Sequence, residues 1–346
     1  MQNALYPWQV SSWQQLHAMR DRLPHALLLH GSAGTGKTAF AERFARSLLC
    51  ETPAADGQPC ETCASCGWFA QYSHPDYRRV RPEVLDEDDA ADGEEADEGK
   101  KSSKSTKAPS KDIRIEQIRA LTSVMTISTH RSGKRVVLLY PAEALNGAAA
   151  NALLKTLEEP PPNTVLILVS NGLDRLLPTI LSRCRKFAMP MPSKAEALQW
   201  LVAQGVADAP MWLAEQGGAP LAALAQVQSE SDEREALDAF LAHLAQPSIE
   251  AALKTAERLA KSPPVILLGC LQRWLYDLAA LQLSGTIRYY PRYHKAIAGL
   301  AQRVSSADLL QAVKSANARR GIAEHPLSPK LFIEDMLLEY AALFES

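Results

Sequence analysis

The stretch Gly31-Ser32-Ala33-Gly34-Thr35-Gly36-Lys37-Thr38 limits this chain more than any other. It fits G-x-x-x-x-G-K-[ST], follows the short apolar run Ala26–His30, and precedes Phe40, Phe44 and Leu48, spaced by four. Strand, glycine-rich loop and helix in that order form a phosphate cradle: loop N–H groups turn inward and the new helix presents its positive end. In such a cradle Gly31, Gly34 and Gly36 supply the bends, Lys37 reaches the outer phosphates of ATP, and the Thr38 hydroxyl holds Mg²⁺. The unit needs a parallel sheet around it, and two further apolar runs, Val136–Tyr140 and Val165–Ser170, are the expected neighbouring strands.

The chain changes character along its 346 residues. Residues 1–190 alternate strand-like and helical segments. Beyond Pro190–Ser193 the pattern is helical: Leu198, Leu201 and Val202, then Leu237, Phe240, Leu241 and Leu244, fall on helix faces. A further break near Gln228–Asp232 divides this half into segments of about 191–230 and 231–346. The most apolar stretch, Val265–Leu283, is interrupted by Gln272, Arg273 and Asp277, which predicts a buried helix and no membrane span. Met1–Gly31 lacks the cationic start and apolar run of a secretory leader, so a cytoplasmic protein is expected.

The formal charge of −2 comes from 37 basic and 39 acidic residues and conceals a local imbalance. Residues 83–111 carry ten acids and five lysines, which leaves 32 basic against 29 acidic residues elsewhere, about +3. This segment has too little apolar surface to offset chain entropy and reads as a disordered loop insertion.

Where a phosphate-loop enzyme places an acid after its next core strand, this chain has Tyr140-Pro141, which offers no carboxylate. Glu143 is the nearest substitute, although an acid just after Pro141 also suits a helix start. Separately, Cys50, Cys60, Cys63 and Cys66 give C-x9-C-x2-C-x2-C, a spacing for a closed four-thiolate zinc site of structural type, in a module of about residues 50–66. His74 reads as a loop residue and Cys270 as a buried thiol. A zinc-dependent DNA-binding module is a competing reading, but residues 50–82 offer only Arg78, Arg79 and Arg81 as lysine- or arginine-type cations.

Downstream, Asn151–Pro161 reads NALLKTLEEPP, and Ser182-Arg183-Cys184 follows the next strand. Together with the phosphate loop and the cysteine quartet, these motifs resemble bacterial clamp-loader subunits of the AAA+ class, from Tyr6-Pro7-Trp8 through the helical C-terminal region. The resemblance implies an α/β AAA+ P-loop domain (1–190) with an inserted zinc module, then a small helical lid (191–230) and an all-α collar (231–346). It implies gamma/tau and delta partners, a sliding clamp and primed DNA met through the complex, and no membrane. It makes Arg183 an arginine finger acting in trans on a neighbour's ATP. Motor subunits of the gamma/tau type carry Asp-Glu where this chain has Tyr140-Pro141, and a sensor arginine where it has Gly217-Gly218-Ala219-Pro220. The chain therefore reads as a stator that hydrolyses little or nothing, with an autonomous gamma/tau-type motor as the alternative.

Overall fold

Apolar runs that expose neither face need helices on both sides, and the three central strands here are buried in that way. The computed structural model describes residues 4–86, 109–125, 133–229, 231–323 and 328–345. Met1–Pro192 and Ser193–Ser346 form two compact units.

In the first unit, helix α1 (Val10–Ala18) precedes β1 (Ala26–His30), α2 (Lys37–Leu49), α3 (Ala64–Ala70) and β2 (Tyr77–Val80). Then come α4 (Ile115–Met125), β3 (Arg135–Leu139), α5 (Gly147–Glu158), β4 (Thr164–Ser170), α6 (Pro178–Arg183) and β5 (Arg185–Ala188). The five strands pair in parallel in the order β2-β3-β4-β1-β5. The three strands expected from sequence are the three central ones, and every residue of β3 and β4 is buried. Both edge strands are additions: Tyr77-Arg78-Arg79-Val80 and Arg185-Lys186-Phe187-Ala188 are too short and polar to give a strand signal. One face of the sheet packs Leu27, Leu29, Val136, Leu138 and Ile167 against Phe40, Phe44 and Leu48 of α2. The other packs Leu28, Val137 and Leu168 against Ile118 of α4 and Leu153 and Leu157 of α5.

Of the expected disordered insertion, residues 87–108 lie outside the described residues. Its two ends are folded and joined. Val84 N–H donates to Ser110 O at 3.2 Å, Ser110 N–H to Glu83 Oε2 at 3.0 Å, and Arg81 pairs with Asp86 at 2.6 Å. Glu83 and Asp86, counted with the insertion by composition, thus belong to the folded body. On the sequence expectation of disorder, replacing 87–108 by a four-residue Gly/Ser linker shortens the loop between ends that already meet. That change is worth about 1.5 kcal/mol of stabilisation and should raise the melting temperature by a few degrees. A fall in melting temperature would show that the segment contributes to the folded body.

The second unit is helical throughout its described residues. Helices α7 (Lys194–Ala203), α8 (Ala209–Glu215) and α9 (Pro220–Gln228) share a small core of Ala197, Leu201, Leu213 and Ala223. The remaining helices, α10 (Ser231–Ala245), α11 (Ile249–Arg258), α12 (Pro264–Ser284), α13 (His294–Ala301), α14 (Ser306–Ala318), α15 (Arg320–Ala323) and α16 (Pro329–Ala342), surround a larger one. By length and composition α12 could cross a bilayer, but it is the central helix of this core, with Leu268, Cys270, Leu271, Trp274 and Leu278 buried. Its interrupting Asp277 is fully buried and accepts the N–H groups of Arg288, Tyr289 and Tyr290, fixing the chain that leaves the helix. Buried Glu215 of α8 pairs with Arg292 at 3.0 Å, and Arg292 with Asp238 of α10 at 2.9 Å, which ties the small core to the larger one.

Candidate functional site

The loop after β1 is held from behind by the first folded residues of the chain. Trp8 Nε1–H donates to Thr35 O at 3.0 Å, and Gln9 Nε2 donates to Thr35 O at 3.1 Å and to Gly36 O at 3.0 Å. The carbonyls of Thr35 and Gly36 are thereby turned toward these partners. Gly36 is left-handed at φ +81°, and a Cβ there would lie 2.6 Å from the Tyr6 ring. A Cβ on Gly31 would lie 2.4 Å from Met189 O. The tight approach of Tyr6–Gln9 therefore requires the glycine, and no periodicity in the sequence announces that strap.

Lys37 opens α2 and is buried, its ammonium donating to Ser32 O at 2.6 Å and Asn171 Oδ1 at 2.7 Å. Burial pulls it down to about 8, while the charge of Glu143 acts to hold it up. Thr38 follows in the first turn, half-buried. Asn171, the residue after β4, was not visible as a site residue in the sequence; the parallel pairing of β1 with β4 (His30 opposite Ser170) brings it to the loop.

The end of β3 is closed to metal chemistry. Tyr140 is buried, donates to Glu42 Oε1 at 3.3 Å, and lies 3.5 Å from Arg81 Nη1. Burial, with Glu42 beside it, pushes the phenol up to about 12, so it stays neutral. Pro141 caps a short 3-10 helix, Ala142–Ala144, where the sequence suggested a helix start. Glu143 sits in that turn, and its Oε1 accepts the Asn171 N–H at 3.0 Å.

The four cysteines converge. Cys50 ends α2, Cys63 caps α3, and all four sulfurs lie within 4.8 Å of one another. Cys50 and Cys63 Sγ are 3.9 Å apart, close to the roughly 3.8 Å edge of a tetrahedron with metal–sulfur bonds of about 2.3 Å. Backbone N–H groups of Cys60, Cys63 and Cys66 donate to Cys50, Cys60 and Cys63 Sγ at 3.3, 3.3 and 3.4 Å, the support that thiolates need. Hydrogen bonds from Thr52, Thr62 and Cys63 bring the Cys60 thiol down to about 5, whereas burial pushes Cys66 up to about 12. The donor set fits Zn²⁺. Arg43 braces the loop through Gln58 and Glu61, and Trp13 Nε1–H through Asp56 O. His74 lies in a loop as expected and is buried there, its Nδ1 accepting the Asp76 N–H, and it stands outside the quartet. Cys270 is buried as expected.

Arg183 is not brought to the phosphate loop. It ends α6, two residues before β5, and the register sets Arg185 beside Leu27 and Ala188 beside His30. Arg183 thus lies at the edge where the strands begin, whereas the loop lies where they end; at about 3.3 Å per residue the separation is roughly 16 Å. Its guanidinium is one-third exposed, donates to Thr179 O at 3.0 Å and Ser182 Oγ at 3.3 Å, and pairs with Glu158 of α5.

A family model described as DNA polymerase III, delta subunit, matches residues 8–193, more than half of the chain. The DNA polymerase III subunit delta' of Pseudomonas aeruginosa is 43% identical over 224 residues, 63% of this chain and 60% of that protein. The chain belongs to the delta-prime family of DNA polymerase III subunits. The delta-prime subunit of Escherichia coli is 32% identical over 244 residues, 69% of this chain and 66% of that protein. The aligned part spans less than two thirds of these delta-prime relatives. A gamma-subunit-related protein of DNA polymerase III from Thermotoga maritima superposes with a TM-score of 0.43 at 15% identity, covering 96% of this chain and 99% of that one.

Proposed function

We propose that this chain is a stator of the DNA polymerase III clamp loader, a cytoplasmic subunit that works with gamma/tau and delta to place the sliding clamp on primed DNA. Residues 1–190 act as its AAA+ domain, 191–230 as the lid and 231–346 as the collar through which subunits join. Arg183 is the arginine finger, given in trans to the ATP of an adjacent motor subunit. The observation that carries this reading is the placement of Arg183: one-third exposed, its guanidinium bonded to Thr179 O of its own turn, and on the edge of the sheet opposite its own phosphate loop.

The loop Gly31–Thr38 holds nucleotide with Lys37 on the phosphates and Thr38 toward Mg²⁺, but the neutral Tyr140 leaves hydrolysis without its usual acid. Cys50, Cys60, Cys63 and Cys66 hold a structural Zn²⁺, which when bound cross-links the end of α2 to α3. An autonomous gamma/tau-type motor is the competing reading, favoured by Glu143, whose charge reaches Lys37.

Reconstitution with gamma/tau and delta separates the two. Under the stator reading Arg183→Ala abolishes most DNA-stimulated ATPase and Lys37→Ala removes little, while the purified chain alone hydrolyses no ATP. Hydrolysis by the chain alone, lost in Lys37→Ala, would establish the motor.

A further inference from the structure

A nucleotide on this loop brings phosphate charge against Lys37, and the end of β3 offers only Tyr140 to meet its cation. Glu42, the acid beside Tyr140, is occupied by the phenol at 3.3 Å and by Arg79 at 3.8 Å. Glu143 is different. The Asn171 N–H fixes its Oε1, while Oε2 is buried and has no hydrogen-bond partner. A buried carboxylate oxygen is normally satisfied, so one left open inside a site asks for a ligand. Lys37 does not satisfy it, since its bonds go to the carbonyl oxygens of Ser32 and Asn171.

We propose that Glu143 is the acid of this site, taking the divalent cation of a nucleotide bound on Gly31–Thr38 directly or through one bound water. The assignment rests on the reading of that loop as a nucleotide holder. Phosphate and the Glu143 carboxylate would both face Lys37, and two anions sharing one lysine repel. A divalent cation between them turns the repulsion into attraction, and Mg²⁺ is commonly held by one or two carboxylates together with phosphate oxygens. The cation is held without an acid at the end of β3 itself, which suits retention of nucleotide more than its hydrolysis.

The test is titration of the full chain with mant-ADP in Mg²⁺ and in EDTA, for wild type and Glu143→Gln. The amide keeps an acceptor for the Asn171 N–H, and equal melting temperatures verify the fold. In Mg²⁺ the variant should bind about tenfold more weakly or worse; in EDTA it should bind as tightly as wild type or more so. Mn²⁺ added with ADP gives a direct reading: wild type should remove the free-Mn²⁺ EPR signal and Glu143→Gln should leave it. Equal weakening in both buffers, or an unchanged ratio between them, overturns the role of Glu143 alone. A wild type that binds mant-ADP in neither buffer overturns the nucleotide reading of the loop, and this assignment with it.

Discussion

Arg183→Ala is expected to lower hydrolysis at the neighbouring ATP site by about 10³–10⁵ in the reconstituted assembly, the range for lost arginine fingers in phosphate-loop systems. The geometry makes the change clean. Arg183 and Glu158 are one-third and one-half exposed, and surface pairs of this kind contribute about 0–1 kcal/mol. Removing the guanidinium should therefore leave the melting temperature and the assembly of the complex unchanged.

Under the proposed finger role, the same weakness would let the arginine leave Glu158 for a phosphate. Its Nη1 donates to Thr179 O and Ser182 Oγ of the same turn, which holds the side chain near the surface meanwhile. Arg183→Lys should recover little, because a lysine lacks the planar fork that spans two phosphate oxygens. Lys37→Ala in the same assembly should leave most of the rate. If Lys37→Ala and Arg183→Ala lose equally, the stator reading fails, since the chain's own loop would then be turning over.

The legible parts of this chain were those whose chemistry is local. Gly31–Thr38 and the cysteine quartet are contiguous or nearly so, and the buried central strands are apolar from end to end. What escaped was set by pairing between distant segments. Asn171 is an ordinary polar residue until β4 lies beside β1 and carries it to Lys37. The strap Tyr6–Gln9 acts through carbonyls of Thr35 and Gly36, which no side-chain pattern encodes. Strands β2 and β5 were invisible because an edge strand with one neighbour tolerates Arg78, Arg79, Arg185 and Lys186. For Glu143 the sequence offered both a substitute acid and a helix start; it does sit in the first turn of a short 3-10 helix, and its carboxylate reaches across to the residue after β4.

Loss of zinc should be the most damaging change to the first unit. The purified chain is expected to carry one zinc, measured by elemental analysis, and Cys63→Ser to carry little or none. Metal binding contributes about 10–16 kcal/mol to the folding of isolated zinc-finger peptides at neutral pH. That is comparable to the whole net stability of a domain, about 5–15 kcal/mol. Here the consequence spreads through named contacts. Cys50 ends α2, Arg43 of α2 holds Gln58 and Glu61, Arg46 holds Cys66 O, and Trp13 holds Asp56 O. Unfastening residues 50–66 therefore loosens the helix that begins at Lys37, and Cys63→Ser should melt at least ten degrees lower. Acid should release the metal, because each ligand must be a thiolate and protons compete for it. In the metal-free site burial holds Cys50 and Cys66 toward the protonated form, so zinc binding there displaces protons, and affinity falls as pH falls. A chelator titration from pH 8 to pH 5, followed by zinc release, checks that sign. Zinc stripped without any change in melting temperature would deny the module a structural role.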